Sequence, residues 1–275
     1  MNNKFEEAIY IRNDKREMYS VEDITELRSD DPQQFHAIKG YLFCPECEIP
    51  HLSHKLCSNK EDYFSTYPRE FHDDTCSYVC NKADVNVLNA VNENPSLSHI
   101  NNRLNDCILM LLEDQNVESN PFILDRNNDN KILRVAGINN VVEDYNYYIP
   151  RKRLTKYMDI SCAKDFMIFY GKVIMKWTKA KHDKGYYPHI LRIYHLNEKR
   201  LICSLKFSKN VYAHLPDESK GFDENAEFIR NIAFYTKLSA NYKKESKVVG
   251  NTFFDGVISD SRKIVFRNIV EVNRT

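Results

Sequence analysis

The stretch Tyr41–Cys80, YLFCPECEIPHLSHKLCSNKEDYFSTYPREFHDDTCSYVC, decides how the first third of the chain is read. An apolar run, Tyr41-Leu42-Phe43, delivers Cys44-Pro45-Glu46-Cys47, and the stretch closes on His72, Cys76 and Cys80. A Cys-x-x-Cys turn after a short strand brings two thiolates to one side of the chain and aims them at one point. His72 and Cys76, spaced i, i+4, are expected to put a nitrogen and a sulfur on one face of a helical turn. Cys44, Cys47, His72 and Cys76 then supply four N/S donors, the closed tetrahedral set that structural zinc takes. Cys80, four residues after Cys76, is the alternative to His72 as fourth ligand. His51, His54 and Cys57 are also in reach by sequence, with His51 and His54 expected on an exposed arm. A redox dithiol or a set of buried thiols is the plainer alternative, but a redox motif would sit in a βαβ pattern that is not found here.

The bulk properties bound the rest. A chain of 275 residues has room for two modest domains and a real core. No apolar run approaches the ~18 residues that span a bilayer. The start, MNNKFEEAIY, has neither a basic opening nor an apolar stretch, so no signal peptide is expected. Eight cysteines in such a chain point to metal or free thiols, and a cytoplasmic setting without membrane contact is the expectation. Lys and Arg balance Asp and Glu at 39 each, yet the balance hides a split. Acidic residues outnumber basic ones by about two to one before residue 150, and the ratio inverts after it. Such asymmetry marks a basic binding surface on the second half, or two halves that complement each other.

The order of a strand, a CPxC knuckle, a variable arm, the pair Tyr63-Phe64 and then a His and a Cys a few residues apart resembles the N-terminal zinc finger of the CoiA-like competence proteins. The resemblance covers residues 1–80. It implies a zinc-holding finger that precedes a nuclease domain. The acidic-x-Lys pair that such a nuclease would carry next is not found between Asn81 and Asp114.

Along the chain, Ala8–Ile11 and Glu17–Val21 are expected to pair as strands around a turn at Asn13-Asp14-Lys15. Ser20 with the acids behind it suits a helix start, and His36 is expected on a strand leading to the knuckle. Asp84–Val91 and Leu97–Leu112 have helical periodicity; in the second, Leu97, Ile100, Leu104, Ile108 and Leu111 mark one buried face, shared by Cys107. Residues 113–131 are loop-rich, and Asp125–Asn130 lacks the glycine and the glutamate of a calcium loop. Arg151, Lys152 and Arg153 follow Pro150 and are expected to form a short basic helix along a phosphate backbone. From Phe166 the pattern turns to strands: Phe166–Lys179, long and interrupted by Gly171, then Ile190–His195, Leu201–Phe207, Ile232–Leu238, Thr252–Ile258 and Arg262–Ile269. A helical excursion is expected at Asp223–Arg230.

The expected architecture is α+β: a zinc-finger subdomain over 1–80, a helical and hairpin connecting region over 81–149, and a basic β-rich domain over 150–275 curled into an OB-like barrel. Such barrels bind single strands with a basic groove and stacking aromatic rings. Arg151, Lys152, Arg153, Lys172, Lys176, Arg192 and Lys206 are the candidate phosphate contacts, and Tyr186 and Tyr187 the candidate stacking rings. Trp177 alternates with Val173 and Met175 and belongs to the core. The expected function is therefore non-enzymatic, zinc-containing nucleic-acid binding, to single-stranded or structured DNA or RNA. One alternative is a magnesium-dependent nuclease built on Asp217, Glu245 and Lys247, a loose PD…ExK arrangement. The other is a zinc-stapled adaptor for a protein partner. The chain has no Gly-rich phosphate loop and no G-x-S-x-G, which gives nucleotide hydrolysis and serine chemistry no foothold.

Overall fold

A computed structural model of the chain describes residues 4–13, 15–58, 62–74, 76–82, 97–113, 133–135, 145–155, 158, 160–163, 165–180, 186–197, 199–220, 226–242 and 252–268. The fold is mixed α+β, with strands in the majority. It divides into two units, one formed by Met1–Lys82 with Asn127–Tyr148, the other by Ala83–Arg126 with Ile149–Thr275.

In the first unit, β1 (Glu7–Arg12) and β2 (Lys15–Ser20) form the expected hairpin, with Asn13 in the left-handed region at its turn. Ser20 ends β2 and starts α1 (Val21–Asp30) through a reciprocal cap. Its hydroxyl accepts from the Asp23 N–H, and the Asp23 carboxylate accepts from the Ser20 N–H. This satisfies two amides that would otherwise be orphaned at the helix end. A second helix, α2 (Pro32–Ile38), carries His36, where a strand was expected. Asp31 caps it and Pro32 occupies the first turn, and those two helix-start signals override the β-like composition that follows. The strand β3 (Leu42–Phe43) adds to β1, while β4 (Leu52–Lys55) and β5 (Tyr63–Thr66) form a second hairpin. A small sheet completes the unit: β6 (Asn81–Lys82), β7 (Leu133–Val135) and β8 (Tyr145–Tyr148). Its core gathers Phe5, Ala8, Ile24, Leu42, Leu52, Phe64 and Tyr148 with Cys44 and Cys76.

The second unit is built on one sheet. Its helix α3 (Leu97–Glu113) runs along the span that the apolar periodicity marks, with Ile100, Leu104, Cys107, Ile108 and Leu111 all buried. The expected helix at Asp84–Val91 and the loop-rich stretch 114–131 lie outside the described residues. β9 (Arg151–Arg153) corrects the expected basic helix: it is a strand, paired in parallel with β10 (Phe166–Lys179). Pro150 lies just before it, a place where proline suits an extended chain as well as a helix start. β11 (His189–Tyr194) pairs antiparallel with β10, and β12 (Leu201–Phe207) continues the meander antiparallel to β11. The connection after β12 then holds two short helices, α4 (Lys209–Ala213) and α5 (Asp217–Lys220). Ser208 caps α4 and Pro216 precedes α5; of the helical excursion expected at Asp223–Arg230, residues 223–225 lie outside the described residues and Glu227–Arg230 is strand. β13 (Glu227–Lys237) pairs with β10, and after Leu238 alone β14 (Ser239–Tyr242) pairs with β15 (Thr252–Ile258). β15 lies parallel to β12, and β16 (Ile264–Arg267) adds to β13.

One surface of this sheet is largely apolar. Met167, Phe169, Val173, Met175 and Trp177 of β10 meet Leu191 and Ile193 of β11, Cys203, Leu205 and Phe207 of β12, and Phe234 of β13. Part of the other surface, including Ile168 and Tyr170, is also buried, and α3 packs there against β10, β13 and β16. Two glycines permit close approaches. At Gly171 a Cβ would stand 3.1 Å from the Leu154 Cβ. At Gly256 it would stand 2.9 Å from Leu238 Cδ2, 3.1 Å from Thr236 Cγ2 and 3.2 Å from Leu205 Cδ2. Gly256→Ala is therefore expected to cost about 1–3 kcal/mol through overpacking. A fall in the urea midpoint of unfolding at unchanged slope would report it.

Candidate metal centre and basic sheet face

The knuckle is shaped by its own backbone. The Cys44 N–H donates to the Pro50 carbonyl at 3.0 Å, and the Glu48 N–H donates to the Cys44 carbonyl at 3.0 Å, closing a tight turn. Glu48 sits at φ 59, in the left-handed region the turn requires. The Glu46 N–H points at the Cys44 sulfur at 3.5 Å, so the backbone already supplies a donor to that thiolate. The second arm reaches the same point without the expected helical turn. His72 lies in irregular chain, the Cys76 N–H donates to the Asp73 carbonyl at 2.9 Å, and a 3₁₀ turn, Ser77–Val79, begins just after Cys76. Glu46 joins the arms: its carboxylate accepts from the Ser77 N–H at 2.8 Å and from the Ser77 hydroxyl at 2.6 Å.

Cys44, Cys47, His72 and Cys76 converge, their ligand atoms all within 4.8 Å of one another. Cys44 Sγ and Cys76 Sγ are 3.9 Å apart. His72 Nδ1 is 3.4 Å from both Cys47 Sγ and Cys76 Sγ. A tetrahedral ion with metal–sulfur bonds of ~2.3 Å and a metal–nitrogen bond of ~2.0 Å has edges of about 3.8 Å and 3.5 Å. The group therefore fits a metal ion. Its electrostatics agree. Hydrogen bonds from the neighbouring Cys44 and Cys76 thiols hold Cys47 far below the usual thiol range. Burial, then the Cys47 thiolate, pushes Cys44 up to about 12, and Cys44 and Cys47 together raise Cys76. Three sulfurs so close cannot all ionise without a cation, and a divalent ion reverses that ordering.

The other candidates go elsewhere. His51 hydrogen-bonds the Glu70 carboxylate through Nδ1 at 3.0 Å. His54 is 3.2 Å from the Thr25 hydroxyl, and burial lowers its pKa. Cys57 donates its N–H to Asp62 at 2.8 Å, and Cys80 is buried outside the group. The His72 ring lies against Phe5, centroids 5.4 Å apart, which fixes its plane.

The basic candidates separate by burial. Arg151 and Lys152 are buried within β9, and Arg153 is half-buried. Lys172, Lys176, Arg192 and Lys206 instead share the surface of the sheet opposite the apolar one. Lys176 pairs with Arg192, Ile190 pairs with Lys206, and alternation puts Lys172 on the same side. Tyr186 is 79% exposed and meets Tyr187 edge to face, centroids 4.8 Å apart. Trp177 is buried, with its indole N–H donating to the Ser219 carbonyl at 2.7 Å. Of the nuclease candidates, Asp217 opens α5 and pairs with Lys220 at 2.9 Å, while Glu245 and Lys247 lie outside the described residues. Sequence reasoning missed Glu46 as the clamp between the arms; only its place inside the Cys-x-x-Cys turn could have drawn attention to it.

Comparison with known proteins finds no matching family, no matching curated protein and no matching solved structure. Among the described residues, no helix is long and apolar enough to cross a membrane.

Proposed function

We propose that this is a zinc-stapled, non-enzymatic nucleic-acid-binding protein whose second unit is an OB-like barrel that takes single strands on its basic outer surface. Zinc is the reading of the three sulfurs and one nitrogen at tetrahedral separations, since soft thiolates with one imidazole suit that ion. Over residues 1–80, the convergence of both ligand pairs supports a CoiA-like finger. Eight free cysteines support a cytoplasmic, reducing setting. The OB-like reading rests on the pairing order. Three meandering strands are followed by helices, and the next strand starts against the first (β10) and, across Leu238, ends against β15, which runs parallel to the third. The run β13–Leu238–β14 would serve as a single closing strand.

The single observation that carries the function is the outward pair of Lys176 and Arg192 on neighbouring strands, in a surface that also presents Tyr194 and Ile190. Cations neutralise phosphates while flat and apolar groups support bases. A protein-adaptor reading draws on one observation of its own. Ile49 (54% exposed), Phe71 (80%) and Val79 (55%) lie close in sequence to the metal ligands and offer apolar contact. Binding of a labelled single-stranded oligonucleotide at two salt concentrations separates these readings. The affinity is expected to fall steeply with salt, and Lys176→Ala with Arg192→Ala to weaken it at least tenfold and flatten the salt slope by about 1.4. Salt-insensitive binding, or a double variant that binds like the parent, would remove the nucleic-acid reading.

A further inference from the structure

Strand register lays five residues in one row across the basic surface: Glu227 on β13, Lys176 on β10, Arg192 on β11, Ser204 on β12 and Asp255 on β15. Strands stand about 4.8 Å apart, so the row is about 19 Å wide, with two cations near its centre and a carboxylate at each end. Each carboxylate also holds a lysine. Asp255 Oδ2 is 3.3 Å from Lys206 Nζ, and Glu227 Oε2 is 3.3 Å from Lys199 Nζ. Both pairs are partly exposed, with side-chain exposures of 38% and 24% in the first and 70% and 45% in the second. Such pairs are weak enough for a phosphate oxygen to displace, yet each removes a cation from the surface until that happens.

We infer that Asp255 and Glu227 are the specificity determinants of this surface: they confine phosphate to the Lys176–Arg192 track and hold Lys206 and Lys199 back from it. The inference rests on the nucleic-acid reading above. A single phosphodiester line fits between the two carboxylates. A duplex carries a charge every ~1.7 Å along its axis, shared between two backbones; only one of them can lie on Lys176 and Arg192, and the other meets a border carboxylate with no cation to offset it. The surface therefore takes a single strand in preference to a duplex, and this preference is set by repulsion at the borders as much as by attraction in the middle.

The test uses the full-length protein with a labelled single-stranded oligonucleotide and the same sequence as a duplex. Asp255→Asn keeps the side chain's shape and frees Lys206. It is expected to tighten single-strand binding roughly threefold to tenfold and to steepen the salt slope by about 0.7, one added phosphate contact. Duplex binding should gain by a larger factor, so that the preference narrows. Adding Lys206→Ala to the Asp255→Asn background should cancel most of that gain. Asp217→Asn, which removes an equal charge from α5, should leave affinity within twofold. If Asp255→Asn matches the parent, or Asp217→Asn produces the same gain, the inference is overturned while the nucleic-acid reading stands. If the parent binds no oligonucleotide even at low salt, the reading falls and the inference falls with it.

Discussion

Removing the metal, by a strong chelator or by Cys44→Ser with Cys47→Ser, is expected to unfold the first unit and leave the second folded. If the ion is the zinc proposed, it contributes on the order of 10–16 kcal/mol of apparent binding energy, as much as or more than the ~5–15 kcal/mol by which a whole domain is stable. The ligands are part of the unit's interior. Cys44 and Cys76 are buried beside Phe5, Leu42 and Tyr78, so losing the ion leaves crowded thiols in the middle of a small core. The chain contains one tryptophan, Trp177, buried in the second unit, which makes the readout clean. Far-UV circular dichroism should lose part of its signal on chelation while tryptophan emission stays at its native wavelength. Metal content by mass spectrometry should be one ion per chain in the parent and in Cys57→Ser, and none in the double variant. Stoichiometric metal surviving in the double variant, or lost from Cys80→Ser instead, would show that the ligand set is drawn wrongly.

Trp177→Ala carries the next largest effect. The indole is buried between Phe207, with ring centroids 5.1 Å apart, and Tyr212, at 5.0 Å, and its N–H is satisfied by the Ser219 carbonyl. Truncation removes the largest side chain of this core, leaves a cavity and orphans that carbonyl. The expected cost is about 3–5 kcal/mol. With a slope of ~1–3 kcal/mol per molar urea, the second unit's midpoint should fall by roughly 1–5 M. Trp177→Phe keeps most of the volume and should lose clearly less. A midpoint for Trp177→Ala within a few tenths of a molar of the parent would mean that the ring is not packed in the interior.

What could be read from the sequence follows from how local the determining forces are. The strands at Phe166–Lys179, Leu201–Phe207 and Thr252–Ile258 have the predicted bounds, because period-two alternation with one buried face fixes both register and extent. The helix over Leu97–Glu113 is legible for the matching reason at period 3.6. Arg151-Lys152-Arg153 misled because charge suggested solvent, whereas β9 is held by backbone pairing to β10 and buries two of its three side chains. Composition carries no trace of a hydrogen-bond ladder whose partner lies further along the chain. The convergence of Cys44, Cys47, His72 and Cys76 was legible from spacing alone, although the His72–Cys76 arm reaches the group by an irregular path and not by a helical turn. Asp255 and Glu227 were not legible at all. Their significance depends on which residue lies across from them in a neighbouring strand, and pairwise register between distant segments is a tertiary property.

The interleaving of the two units along the chain bears on the order of events during synthesis. All four metal donors have left the ribosome once residue 76 is out, so the nascent chain can capture its ion early. The same unit draws Tyr148 into its core from beyond the intervening segment, and it stays unfinished until that residue arrives. A fragment ended at Lys82 would hold a loaded ion inside an incomplete interior. Cutting the gene where the finger motif stops would thus yield a metal-binding but poorly packed polypeptide.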